Sequence, residues 1–172
     1  MNGILFIRAN GGLNRQLPGT DHISLLFMNG LATTGATNLD CRSLEEAVAQ
    51  GLLFADKMLW YHVSEFFRIA PGARLITKVL GTGAVSADYT EIKALQTNKG
   101  GIIKQVGIWD GTVKATVPTV QALNQVCKDL ADLNMPIFSL LQPKLVTGDY
   151  ATLIDCATCE SEFVSQVIGH DP

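Results

Sequence analysis

An α/β fold, with a mostly parallel sheet, crossover helices on both faces and an N-terminal strand arm, is predicted by three features of the sequence. From Ala73 onward short apolar runs alternate with stretches of helical periodicity, the order in which strands and crossover helices succeed one another in a parallel sheet. Between Val120 and Leu133 the apolar residues Val120, Leu123, Val126, Cys127, Leu130 and Leu133 form one stripe, with Gln121, Asn124, Lys128, Asp129 and Asp132 off it. A length of 172 residues with 47% hydrophobic residues is enough for one domain with its own core. We therefore divide the chain into an arm and flexible loop, residues 1–22, and an α/β domain, residues 23–172.

Gly3 to Arg8 (GILFIR) reads as a short strand, and the glycine-rich stretch Asn10 to Gly19 as a hinge. Ile23 to Met28 is a second strand, and the small and polar residues between Gly30 and Asp40 read as a loop. Ser43-Leu44-Glu45-Glu46 has the form of a capping box, in which a serine precedes a glutamate by three residues, and it opens a short helix that Gly51 ends. Leu59 to Gly72 follows as an aromatic-rich helix stopped by Pro71-Gly72. Leu59, Trp60, Val63, Phe66 and Phe67 mark its apolar side, and Tyr61, Ser64, Glu65 and Arg68 its polar side.

Arg74 to Leu80 begins the alternating part as a strand, followed by a helix over about Asp88 to Thr97. Ile102 to Trp109 is the next strand, where Gly107 leaves room for close approach of another backbone. Pro118 suits the first turn of the striped helix, which Asn134 and Pro136 end. Ile137 to Leu141 is so continuously apolar that it predicts a strand buried on both faces. A short helix around Tyr150 to Asp155 and a strand over Phe163 to Ile168 complete the series.

Several function classes are disfavoured by composition. A formal net charge of -3 without a lysine and arginine cluster gives no footprint for nucleic acid. No segment approaches eighteen uninterrupted apolar residues, and MNGILFIRAN lacks the basic leader of a signal peptide, so we expect a soluble protein made in a cytoplasm, without membrane partners. In that setting Cys41, Cys127, Cys156 and Cys159 are expected as thiols. Cys156 and Cys159 form a CxxC, but a structural zinc site needs four ligands and His22, His62 and His170 are scattered. The acidic neighbours Asp155 and Glu160 oppose a reactive thiolate. We expect no metal and no cofactor.

Catalytic patterns are equally thin. Gly81-Thr82-Gly83-Ala84 follows a strand and Asp110 ends the next one, in the order of a dinucleotide fingerprint, although Ser86 stands where its third glycine belongs. His62 and Glu65, one helical turn apart, are a possible hydrogen-bonded pair beside Ser64. No GxSxG, HExxH or P-loop sequence occurs. A small α/β nucleotide-binding enzyme is therefore the alternative reading, with no catalytic residues assigned. With only 17% charged residues, some apolar surface is expected to meet partners instead.

Three blocks carry a resemblance: Gly11-Gly12-Leu13-Asn14-Arg15-Gln16-Leu17-Pro18-Gly19-Thr20-Asp21-His22-Ile23-Ser24-Leu25-Leu26-Phe27, then Leu59 to Ile69 (LWYHVSEFFRI), then Ile103 to Trp109 (IKQVGIW). In order and approximate spacing they resemble the contractile tail sheath proteins of bacteriophages and phage-like injection machines. The resemblance implies a non-enzymatic subunit of a virion tail or prophage particle, made in a bacterial cytoplasm. Such a subunit self-assembles around a tail tube protein and adjoins a baseplate; a tail or baseplate adaptor is a second alternative. Family members run longer, so this chain is expected to correspond to their N-terminal portion. For assembly we expect Ile4, Phe6 and Arg8 to add a strand to a neighbour's sheet edge, and Tyr61, Glu65 and Arg68 to supply a second subunit contact.

Overall fold

A computed structural model describes residues 23–81, 89–111, 116–142, 144, 154 and 156–167. The strand expected over Gly3 to Arg8, the glycine-rich hinge, the Thr82-Gly83-Ala84 part of the fingerprint and nearly all of the helix expected at 150–155 lie outside these residues. Along the chain come β1 (Ile23–Asn29), β2 (Asn38–Cys41), α1 (Leu44–Ala49), α2 (Lys57–Ile69), β3 (Arg74–Leu80), α3 (Thr90–Asn98), β4 (Gln105–Asp110), α4 (Val117–Asp132), β5 (Phe138–Gln142), a 3-10 turn (Cys156–Cys159) and β6 (Val164–Gln166).

The strands form one six-stranded sheet in the order β2-β3-β1-β4-β5-β6. Every pairing is parallel except that of β2 with β3. The chain first steps from β1 outward to β3 and then returns past β1 to β4, so right-handed crossovers place α2 and α3 on opposite faces. Two cores follow. On one face Leu25, Phe27, Val106, Ile108 and Leu141 pack with Ile92 of α3 and Val120, Leu123 and Cys127 of α4. On the other, Met28, Leu75 and Val79 pack with Ala47 of α1 and Leu59 and Val63 of α2. The predicted α/β fold with helices on both faces is the fold the chain adopts.

Local chemistry explains the boundaries. The Ser43 hydroxyl accepts the Glu46 N–H at 3.2 Å, while the Glu46 carboxylate reaches past the cap to accept the Arg42 N–H at 2.7 Å. Gly51, at φ +104°, turns the chain out of α1 in a conformation that disfavours side chains. Thr116 caps α4 by accepting the Thr119 N–H at 3.4 Å.

Three expectations are corrected. The predicted loop between Gly30 and Asp40 ends in β2, an antiparallel edge strand whose start the Thr77 hydroxyl secures by accepting the Leu39 N–H at 3.0 Å. Asn38-Leu39-Asp40-Cys41 alternates polar and apolar, but four residues after a run of small and polar ones are too short to announce a strand, and pairing with β3, 38 positions away, makes them one. β4 begins at Gln105 rather than Ile102, because Gln96 takes both backbone groups of Ile103: Ile103 N–H donates to Oε1 at 3.1 Å and Nε2 donates to Ile103 O at 2.8 Å. β5 is not buried on both faces. Ser139 and Leu141 are covered by α4, whereas Phe138 and Leu140 stay 60% and 45% exposed.

Candidate interaction surface

Helix α2 lies on the sheet as its periodicity requires. Leu59 and Val63 are fully buried, Trp60, Phe66 and Phe67 pack partly against the same core, and the opposite side faces outward. On that outer side Tyr61 is 53% exposed, and Ile69 at the last turn is 71% exposed. Between them Arg68 grips Glu65 in a two-pronged contact, Nε at 2.9 Å and Nη2 at 2.7 Å from Oε2, and this pairing holds the Glu65 carboxyl below its usual range. Glu65 is thus engaged by Arg68 and not by His62, whose ring instead meets Tyr61 edge-on at 5.4 Å between centroids. The Ser64 hydroxyl donates to Tyr61 O at 2.9 Å, a bond within the helix.

The structure therefore brings Tyr61, Glu65 and Arg68 onto one helix face, while Ile4, Phe6 and Arg8 lie outside the described residues. Asp56 sets the angle at which α2 is presented. Its carboxylate accepts the Thr34 N–H at 2.8 Å, the Thr34 hydroxyl at 3.0 Å and the Gly35 N–H at 2.8 Å. Those bonds, led by the Thr34 amide and opposed by burial, keep the carboxyl below its usual range. Sequence reasoning missed Asp56, since a buried acid before a helix looks like an ordinary N-cap until the loop it grips is known.

The two sheet edges differ. At β2 the Asp40 N–H donates to Gln50 Oε1 at 2.9 Å and Gln50 Nε2 donates to Asp40 O at 2.7 Å, so a side-chain amide occupies the place of a seventh strand. The Asp40 carboxylate is held by Arg74 through two bonds of 2.7 Å and by Lys99 at 2.8 Å, which brings its pKa down to about 2. At β6 the lead-in is fixed by Asn124 of α4, whose Oδ1 accepts the N–H groups of Glu162 and Phe163 at 3.1 and 3.2 Å. The Ser161 hydroxyl donates to Val164 O at 3.2 Å, and Val167 follows as an exposed residue.

The fingerprint residues fall apart in space. Gly81 follows β3 and Asp110 ends β4, with β1 between those strands. In a dinucleotide site the glycine-bearing strand and the acid-bearing strand are neighbours. Asp110 is 2% exposed, its carboxylate accepting from Asn29 Nδ2 at 3.3 Å and from the Tyr89 hydroxyl at 3.4 Å. Tyr89 is itself buried, which drives its phenol pKa upward, and it caps α3 in a left-handed conformation at φ +50°. The Gly111 N–H donates to Asn29 O at 3.0 Å, joining the ends of β1 and β4. Among the described residues, Asn29, Tyr89 and Asp110 thus meet at the carboxyl ends of β1 and β4, the end at which doubly wound sheets hold ligands. The one legible signal for this cluster was Asn29, a polar residue closing the apolar run Ile23 to Met28.

The CxxC forms the 3-10 turn, with Cys159 buried in the core beside α4. Among the described residues no three His, Cys, Asp or Glu side chains converge as metal ligands. No helix among the described residues is long and apolar enough to cross a membrane. No protein-family model matches the chain, and no curated protein does.

Proposed function

We propose that this chain is a structural subunit that assembles with copies of itself, on the pattern of a phage or phage-like contractile tail sheath around its tube protein. The observation that carries the reading is the outer face of α2: an exposed tyrosine and an exposed isoleucine flank a paired glutamate and arginine on a rigid helix. Aromatic and arginine side chains are enriched at protein interfaces, where an aromatic anchor surrounded by polar contacts supplies most of the binding energy. Unequal edges support the same reading. With β2 sealed by Gln50, a strand donated by a neighbour's residues 3–8 has β6 as its place of addition.

Light scattering and negative-stain microscopy of the full chain, of a variant lacking residues 1–10 and of Tyr61→Ala test this. Rings, fibres or concentration-dependent oligomers are expected for the full chain, with at least about tenfold weaker assembly in each variant at unchanged thermal midpoint, the scale of a hot-spot loss. Unchanged assembly after the deletion removes the arm, and a strictly monomeric full chain removes the proposal. A rise in melting temperature with NAD, FAD or another nucleotide would favour the enzyme alternative.

A further inference from the structure

The outer side of α2 carries a row of residues with opposite charges placed symmetrically about a tyrosine. Lys57, Tyr61 and Glu65 follow one another at intervals of four residues, so they form a single i±4 ridge with a rise of about 6 Å from each to the next. Lys57 and Tyr61 are exposed and Glu65 is partly so. Seven positions before Tyr61 stands the exposed Phe54, its ring edge-on to Trp60, and seven positions after it the exposed Arg68. A guanidinium and an aromatic face attract one another as a cation and a carboxylate do. Both pairs therefore have Tyr61 as their midpoint in the sequence.

A ridge of that order is complementary to itself. Turning a second copy end over end about Tyr61 lays its ridge antiparallel on the first, with Lys57 against the partner's Glu65, Glu65 against the partner's Lys57 and the two tyrosines at the centre. Helices whose i±4 ridges align in this way cross at about −50°, the commonest packing in globular proteins. Laid parallel, the same ridges would set like charge on like. Within its own chain Lys57 is poorly placed. It opens α2 at the positive end of the helix dipole, the first turn holds no acid, and no ion pair among the described residues engages it. Glu65 can take a second cation, because the three contacts from Arg68 leave acceptor capacity among the about four lone-pair sites of a carboxylate. A 13-residue helix, about 20 Å long and crossed at that angle, buries far less than the roughly 800 Å² per partner of a standard interface, so the pair is weak and concentration-dependent.

We infer that α2 is a two-fold contact, in which the outer ridge of one copy binds the same ridge of a second copy, antiparallel and centred on Tyr61. The inference rests on the proposed self-assembly through α2 and names the surface that α2 meets; it needs neither the sheath pattern nor the arm. Its test is sedimentation equilibrium of the full chain, of Lys57→Glu, of Glu65→Lys and of an equimolar mixture of the two variants. Each variant alone sets like charges together at both ends of the ridge and should associate at least about tenfold more weakly than the parent. The mixture sets opposite charges together again and should regain most of the parent's association. Lys57→Glu should keep or raise the thermal midpoint, since an acid suits the first turn of a helix, so its weaker association is not a loss of fold. A second measurement needs only that variant: added salt should weaken the parent's association and strengthen the variant's, by screening attraction in one and repulsion in the other. If both variants weaken and the mixture stays weak, or salt acts on parent and Lys57→Glu in the same direction, α2 meets some other surface, and the two-fold contact falls while self-assembly stands. Unchanged association in either single variant overturns it equally. A full chain that stays monomeric up to about 1 mM, as it would with its own residues 1–22 laid over the ridge, removes both readings.

Discussion

At the scale of residues, Gly35 is tightly constrained by backbone. A Cβ there would stand 2.5 Å from Gly51 O and 2.9 Å from Asp56 Oδ2, in the contact that fastens the loop before β2 to the turn between α1 and α2. Gly35→Ala is expected to cost about 1–3 kcal/mol by overpacking, seen as a lower urea midpoint with unchanged slope. Asp40 is a carboxylate held by two cations, Arg74 and Lys99. Its carboxyl is held down to about 2, first by the Arg74 hydrogen bonds, so its contribution is present above the ordinary value near 3.8 and disappears as pH falls toward 2. The group is partly exposed, and allowing for solvent screening the contribution is about 1–2 kcal/mol. Asp40→Asn should therefore be less stable at pH 7 and show a flatter acid limb between pH 4 and 2, measured by thermal midpoint against pH.

Elements are joined here by neutral side chains that read as unremarkable in sequence. Gln96 ties α3 to the entry of β4 and, by donating to Met135 O at 3.1 Å, to the loop after α4. Asn124, assigned to the polar side of its helix, is buried and holds the entry to β6. Asn124→Ala leaves two amides without that acceptor and should cost about 1–3 kcal/mol. Because the loss is local, hydrogen exchange should quicken first in residues 162–166 and leave β1 and β4 protected. Helix periods located α2 and α4 well, since an apolar stripe names the side that packs. Periodicity could not find β2 or the partners of Asn124, whose meaning lies 38 and 39 residues further along the chain.

For the whole molecule the asymmetry of the sheet is the governing feature. One edge ends in a strand capped by a side-chain amide and a triad of charges, the other in three residues anchored from behind by α4. Unpaired sheet edges template association with other chains. Gln50→Ala should accordingly open the β2 edge and raise self-association at that side, detected as a concentration-dependent increase in sedimentation coefficient at an unchanged fold by circular dichroism. If the variant sediments as the parent does, the amide cap is not what keeps that edge closed.

The alternation of apolar runs and helical stripes determined by itself that the chain would build a parallel sheet with helices on both faces, and it chose the inward sides of α2 and α4, because burial of apolar stripes is a local property of spacing. It also placed Tyr61, Glu65 and Arg68 together on one turn-to-turn face. Tertiary structure alone decided which strands become neighbours, and with that the separation of Gly81 from Asp110 by β1, the sealing of β2 and the exposure of Phe138 and Leu140. Those outcomes depend on pairings between residues dozens of positions apart, where hydrogen-bond geometry and the hand of each crossover select one arrangement among many that the same pattern permits.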